Sequence, residues 1–149
     1  MMGEKFMSNE VFKAIIELPK FPIKKNSKQI FRNRATGRPF IASNSKAQNL
    51  MNILNAELLK AKMMNKCGLI DYDVNVSFQF YFPSKVYFTK QGKRSNKVGD
   101  LSNLIEAPQD ALQKVGILQN DSLICSLDQS FRAAIDSDVH KLKIIITRL

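Results

Sequence analysis

Two stretches of this chain alternate apolar and polar residues with the period of a half-buried strand. In "YDVNVSFQFYF" (72–82), Val74, Val76, Phe78 and Phe80 face one way, and Asn75, Ser77 and Gln79 face the other. "VFKAIIEL" (11–18) alternates too and is rich in β-branched residues. Pro19 and Pro22 stop it, because proline cannot continue a central ladder. One strand is expected within "SLICSLDQSFRAAI" (122–135) and a last one in "HKLKIIITRL" (140–149). Elsewhere the period is helical. Over residues 43–66, Leu50, Ile53, Leu54, Leu58 and Ala61 recur at helical spacing, with Ser43 or Ser45 to cap and Gly68 past the end. Residues 101–115 wind into a second helix. Leu104, Pro108, Ala111, Leu112 and Val115 share its apolar arc, with Leu101 and Ile105 at the edge. Ser102, Glu106, Gln109, Asp110 and Gln113 lie opposite. Pro108 has no amide hydrogen for the Leu104 carbonyl, so a kink or a late helix start is expected, and Gly116 closes the helix.

The connections are basic. Residues 23–42 read as an ordered loop with a short hairpin around "RATGRPF", where Thr36 and Gly37 supply the turn. Residues 83–99 form a second such loop. The order of elements predicts an α/β (α+β) fold, a single domain with a mixed sheet and two main helices packed on it. The domain is expected over residues 11–149, after a flexible arm of residues 1–10 that lacks the apolar core of a signal peptide. No apolar run has the length of a membrane span. Cys67 and Cys125 stand far from any second Cys or His at ligand spacing. That argues against zinc and fits a reduced, cytoplasmic compartment.

Charge sharpens this picture. The net charge is +10 over 149 residues, and the pI is near 9.8. Both point to a polyanionic partner, nucleic acid before membrane. The bases are not spread evenly. From Leu18 to Ala56 there is no acid, but there are Lys20, Lys24, Lys25, Lys28, Arg32, Arg34, Arg38 and Lys46. From Val74 to Gly99 there is again no acid, with Lys85, Lys90, Lys93, Arg94 and Lys97. Residues 100–138 then carry seven acids and two bases. A solvated basic surface is the plain alternative, but two long acid-free segments exceed what solubility asks.

The acidic segment "VGDLSNLIEAPQDALQKVGILQNDS" (98–122) brings a second chemistry. Ser102, Glu106 and Asp110 stack at four-residue steps on the polar arc of the second helix. Asp100 precedes that helix, where its charge suits the N-terminal dipole. A solvated acidic face accounts for this spacing. So does a metal site: carboxylates from the start of a helix and a following turn can converge, and converging carboxylates repel unless a cation is shared. Oxygen ligands without Cys or His suit Mg²⁺ or Mn²⁺, the ions that assist phosphodiester hydrolysis. Bases would hold the phosphates and acids the metal.

The segment "DLSNLIEAPQDALQKVGILQNDSLI" resembles the RusA-type Holliday junction resolvases. Their motif runs roughly D-x-D-N-L-x-K-x-x-x-D-A-L, then a Gly and a turn ending in one or two acids. Asp100, Asn103, Leu104, Asp110, Ala111, Leu112, Gly116 and Asp121 match it. "IIELPKFPIKKN" supplies the family's first strand, its Pro-containing turn (Pro22) and its Asn (Asn26). The resemblance implies a small dimeric, Mg²⁺-dependent endodeoxyribonuclease that cuts four-way DNA junctions symmetrically. It carries metal ligation over to Asp100 and Asp121. This chain departs from the pattern at two positions, with Ser102 where the family has an Asp and Glu106 where it has a Lys. Glu106, one turn beyond Ser102, is expected to supply the displaced ligand. Lys97 or Lys114 is expected to replace the missing Lys. Lys24, Lys25, Lys28, Arg32, Arg34, Arg38, Lys93, Arg94 and Lys97 are the expected DNA contacts. Two cuts need two active sites, hence a homodimer.

Two rivals stand beside this reading. One is a catalytically inactive protein of the same fold that binds branched DNA. The other is an RNA-binding module, which would want stacking aromatics such as Tyr81, Tyr87 or Phe88 on a sheet. His140 is isolated at the start of a strand and is given no catalytic role.

Overall fold

The computed structural model describes residues 9–23, 28–32, 39–43 and 45–149, with the backbone alone for 28–32, 39–43 and residue 45. A hairpin of β2 (Lys28–Arg32) and β3 (Pro39–Ser43) forms a separate two-stranded sheet, as the basic loop suggested. The main sheet holds β1 (Glu10–Leu18), β4 (Val74–Pro83), β5 (Ile124–Ser126), β6 (Phe131–Ile135) and β7 (His140–Arg148). β7 lies antiparallel between β1 and β4, while β5 and β6 run parallel to β4 along its other edge, one after the other. The sheet is therefore mixed, as expected. α1 (Ser45–Met64) and α3 (Leu101–Lys114) are its long helices, and α2 (Ser84–Tyr87) is a single turn after β4. Among the described residues no helix is long and apolar enough to cross a membrane.

Pairing register builds the core in rows. Phe12, Ile146 and Val76 lie side by side, as do Ala14, Ile144 and Phe78, and then Ile16, Leu142 and Phe80. All nine are buried, as are Leu54 and Leu58 of α1 and Leu104, Ile105, Ala107, Ala111 and Leu112 of α3. The intervening residues of β1, Lys13, Ile15 and Glu17, face outward, and Ile15 is 63% exposed. The outward backbone of Lys13 is not left bare. Asn65 accepts from its N–H and donates to its carbonyl, at 3.2 and 3.0 Å, which blunts the sheet edge.

Several expectations need correction. "SLICSLDQSFRAAI" holds two strands rather than one. The cause is polar residues on β4: Asn75 accepts from the Asp128 amide at 2.8 Å, and Ser77 donates to the Gln129 carbonyl at 2.8 Å. These bonds hold the chain off the ladder between β5 and β6, with Gln129 in the left-handed region (φ 68°). They also bury Ser77, which alternation had placed outside. α1 begins at Ser45, since Ser43 ends β3. Ile53 is 38% exposed rather than core. Lys66 (φ 51°), not Gly68, takes the left-handed position after α1. α3 runs through Pro108 without starting late. Residues 1–8 of the expected arm lie outside the described residues, and its last residue, Glu10, instead opens β1 in register with Thr147.

Candidate active site

The start of α3 is built to present a carboxylate. Val98 is buried and anchors the chain. Gly99 follows with φ +81°, a conformation that side chains resist. Asp100 is then the N-cap residue, extended at φ −80° and ψ 147°. Its carbonyl accepts the Leu104 amide at 3.1 Å, which opens the helix. An N-cap Asp usually folds back onto the first amides. Asp100 does not: its side chain makes no capping hydrogen bond and is exposed. It is therefore free to take an external cation.

The loop that leads into Asp100 is ordered and basic. The Thr89 amide donates to the Lys93 carbonyl at 2.7 Å, and the Ser95 amide donates to the Tyr87 carbonyl at 2.7 Å. Lys90, Lys93, Arg94 and Lys97 are all exposed on this frame, a few residues from Asp100. Phosphate-attracting cations thus run straight into the carboxylate. Replacing Lys93, Arg94 and Lys97 together by Ala should reduce the slope of log affinity against log salt by about 2–3, at roughly 0.9 per lost phosphate contact. Fluorescence titration of DNA at several salt concentrations measures this, and an unchanged slope removes the loop from the interface.

Asp121 sits elsewhere. It opens a 3₁₀ turn (Asp121–Leu123) that Asn120 caps by accepting the Ser122 amide at 2.8 Å. The Asp121 amide donates to Gln113 Oε1 at 3.3 Å, which ties it to the C-terminal end of α3. Asp100 and Gln113 are thirteen residues apart, or about 20 Å along a helix rising about 1.5 Å per residue. Asp100 and Asp121 therefore occupy opposite ends of α3. Ser102 and Glu106 are exposed between them, with Glu106 about 9 Å beyond Asp100 along the axis. Among the described residues no three His, Cys, Asp or Glu side chains gather to hold a metal. The donors are oxygens that suit Mg²⁺, but one copy of the chain does not bring them together.

Of the expected DNA contacts, Lys24, Lys25, Arg34 and Arg38 lie outside the described residues, and Lys28 and Arg32 are placed in β2 by backbone alone. His140 is buried with its ring 5.0 Å from Phe21 and 5.4 Å from Phe82. Burial, and then the nearby Lys20 charge, lower its pKa and favour the neutral ring. It is a core residue. Tyr81 and Tyr87 have edge-on ring neighbours in Phe131 and Phe82, as anchors do.

The family model for endodeoxyribonuclease RusA matches residues 20–147. The chain belongs to the RusA family. A search of curated proteins finds no match to it. RusA membership makes an endodeoxyribonuclease fold the frame for Asp100 and its basic loop. Within that frame, pattern reading passed over Arg132, whose Nη1 donates to the Gly99 carbonyl. The signal was present, since Arg132 is one of only two bases in residues 100–138.

Proposed function

We propose that this chain resolves four-way DNA junctions with Mg²⁺, as a homodimer in which each active site draws on both copies. The carrying observation is the placement of Asp100 and Asp121 at opposite ends of α3. A two-fold axis perpendicular to α3 and beside its middle would set opposite ends of the two copies together, with Asp100 of one copy near Asp121 of the other. The operation repeats itself and yields two equivalent sites, as symmetric paired cuts require. The outer edge of β5 and β6 suits this axis. Both strands pair inward with β4, β6 lies beside Gly99 through Arg132, and β5 follows Asp121. The nuclease domain starts with β1 at Glu10 and runs to residue 149, after a short N-terminal arm.

In this reading Asp100 and Asp121 hold the ion, and Glu106 supplies the carboxylate displaced from position 102. A Mg²⁺ ion held by these carboxylates would supply an activated water and offset charge at the scissile phosphate. Lys93, Arg94 and Lys97 grip neighbouring phosphates by charge, together with the bases of residues 24–38. Lys97 stands at the Asp100 end of α3 and Lys114 at the Asp121 end, so both approach a shared site and replace the cation absent at 106.

Incubation with a synthetic four-way junction, with and without Mg²⁺, tests the proposal. Paired symmetric nicks that require the ion are expected. Tight junction binding without nicks in Mg²⁺ or Mn²⁺ would mark an inactive junction binder, in which the Ser102 and Glu106 departures have cost the site its metal. Equal affinity for junction, linear duplex and RNA would end both readings.

A further inference from the structure

Asp100 follows a glycine corner. Gly99 holds φ +81°, and beyond its chain neighbours no atom stands within 4 Å of where its Cβ would be. Two hydrogen bonds bracket Asp100. On its far side the Leu104 amide donates to the Asp100 carbonyl. On its near side Arg132 donates to the Gly99 carbonyl. Arg132 comes from a rigid source: it is half-buried in β6 and in register with Phe80 of the central strand β4. Among the described residues no carboxylate forms an ion pair with it, although the surrounding sequence is the most acidic in the chain. A guanidinium spent on a backbone carbonyl is a strong, directed tether, because a charged donor makes the stronger hydrogen bond.

We infer that Arg132 is a positioning residue for Asp100: by clamping the Gly99 carbonyl to the sheet, it sets the angle at which the carboxylate meets the metal. This rests on the role given to Asp100 above. In this role Arg132 acts through the backbone and contacts neither ion nor DNA. Its contribution is pre-organisation, which matters because a displacement of about 1 Å at a reacting centre lowers rates by about 10²-fold.

The test compares wild type with Arg132→Ala and Arg132→Lys in three measurements: amide exchange at Leu104 with the ¹⁵N shift of Asp100, junction affinity, and single-turnover cleavage in Mg²⁺. In Arg132→Ala, loss of one charge-assisted hydrogen bond should speed Leu104 exchange about tenfold and move the Asp100 ¹⁵N resonance. Cleavage should fall by about 10–100-fold while junction affinity stays within about twofold, since only positioning is lost. Lys retains one donor, so Arg132→Lys should recover part of both effects. Unchanged exchange and ¹⁵N shift in Arg132→Ala would overturn the inference. So would affinity falling as far as cleavage, with the salt slope lower by about one, because Arg132 would then be a phosphate contact. If Arg132→Ala does not fold, Arg132→Lys decides: wild-type-like exchange with cleavage unrecoverable at any Mg²⁺ concentration would equally overturn it. Should the wild type cut no junction, the exchange and ¹⁵N arms still judge the tether, and the function proposed above fails separately.

Discussion

Mixed in equal amounts and allowed to exchange subunits, Asp100→Asn and Asp121→Asn should regain junction nicking that neither variant is expected to have alone. With Asp100 at the start of α3 and Asp121 tied to Gln113 near its end in one copy, a mixed dimer assembles one site from the two intact residues and one site from the two replaced ones. Half the dimers are mixed, and half of their sites are competent. Activity should return to about a quarter of the wild-type level, as nicks rather than paired cuts. Sites built within single copies would stay dead in every dimer, because each copy carries one replaced ligand. A mixture as inactive as its components, with subunit exchange shown by mass spectrometry, would overturn the shared site. Sedimentation showing only a monomer with and without DNA would do so more directly.

The second large effect concerns Glu106. Ser102 and Glu106 are exposed, one helical turn apart on the same arc of α3. A carboxylate is absent at the first position and present at the second, on a side chain one methylene longer. Glu106→Gln is expected to lower cleavage by on the order of 10²-fold or more, as is Asp100→Asn, because each would remove a charged ligand. Junction binding should hold or tighten, since removal of a negative charge eases the approach of DNA. Normal cleavage by Glu106→Gln would return Glu106 to the solvated face of an amphipathic helix. If the wild type binds junctions without cutting, and Ser102→Asp with Glu106→Lys together restores cutting, the chain is an inactive binder on a nuclease fold.

Local pattern was enough for β1, β4, β7 and both long helices. Each carries its own period, and burial of one face follows from that period whatever else the chain does. The buried rows from Phe12, Ala14 and Ile16 to Val76, Phe78 and Phe80 are of this kind. It failed where a polar side chain competes with the ladder. Asn75 and Ser77 read as outward residues of a strand, yet they hold residues 127–130 away from β4 and divide one expected strand into β5 and β6. Such pairing spans about fifty residues of sequence, so no local window contains both partners.

The sequence by itself determined the family, through the run from Asp100 to Asp121, and with it the mixed fold and the kinds of group at the site. Charge segregation likewise set cations next to carboxylates along the chain, since the basic segment ending at Lys97 runs directly into Asp100. Only the tertiary structure decided how those groups lie in space. Spacing of twenty-one residues between Asp100 and Asp121 is compatible with contact or with separation. The choice is made by Gln113 holding the Asp121 amide and by a helix too stiff to fold back on itself. The Arg132 tether was decided the same way. It joins a residue on β6 to a carbonyl thirty-three positions earlier, and that meeting depends on β6 pairing with β4 rather than on anything local to either residue.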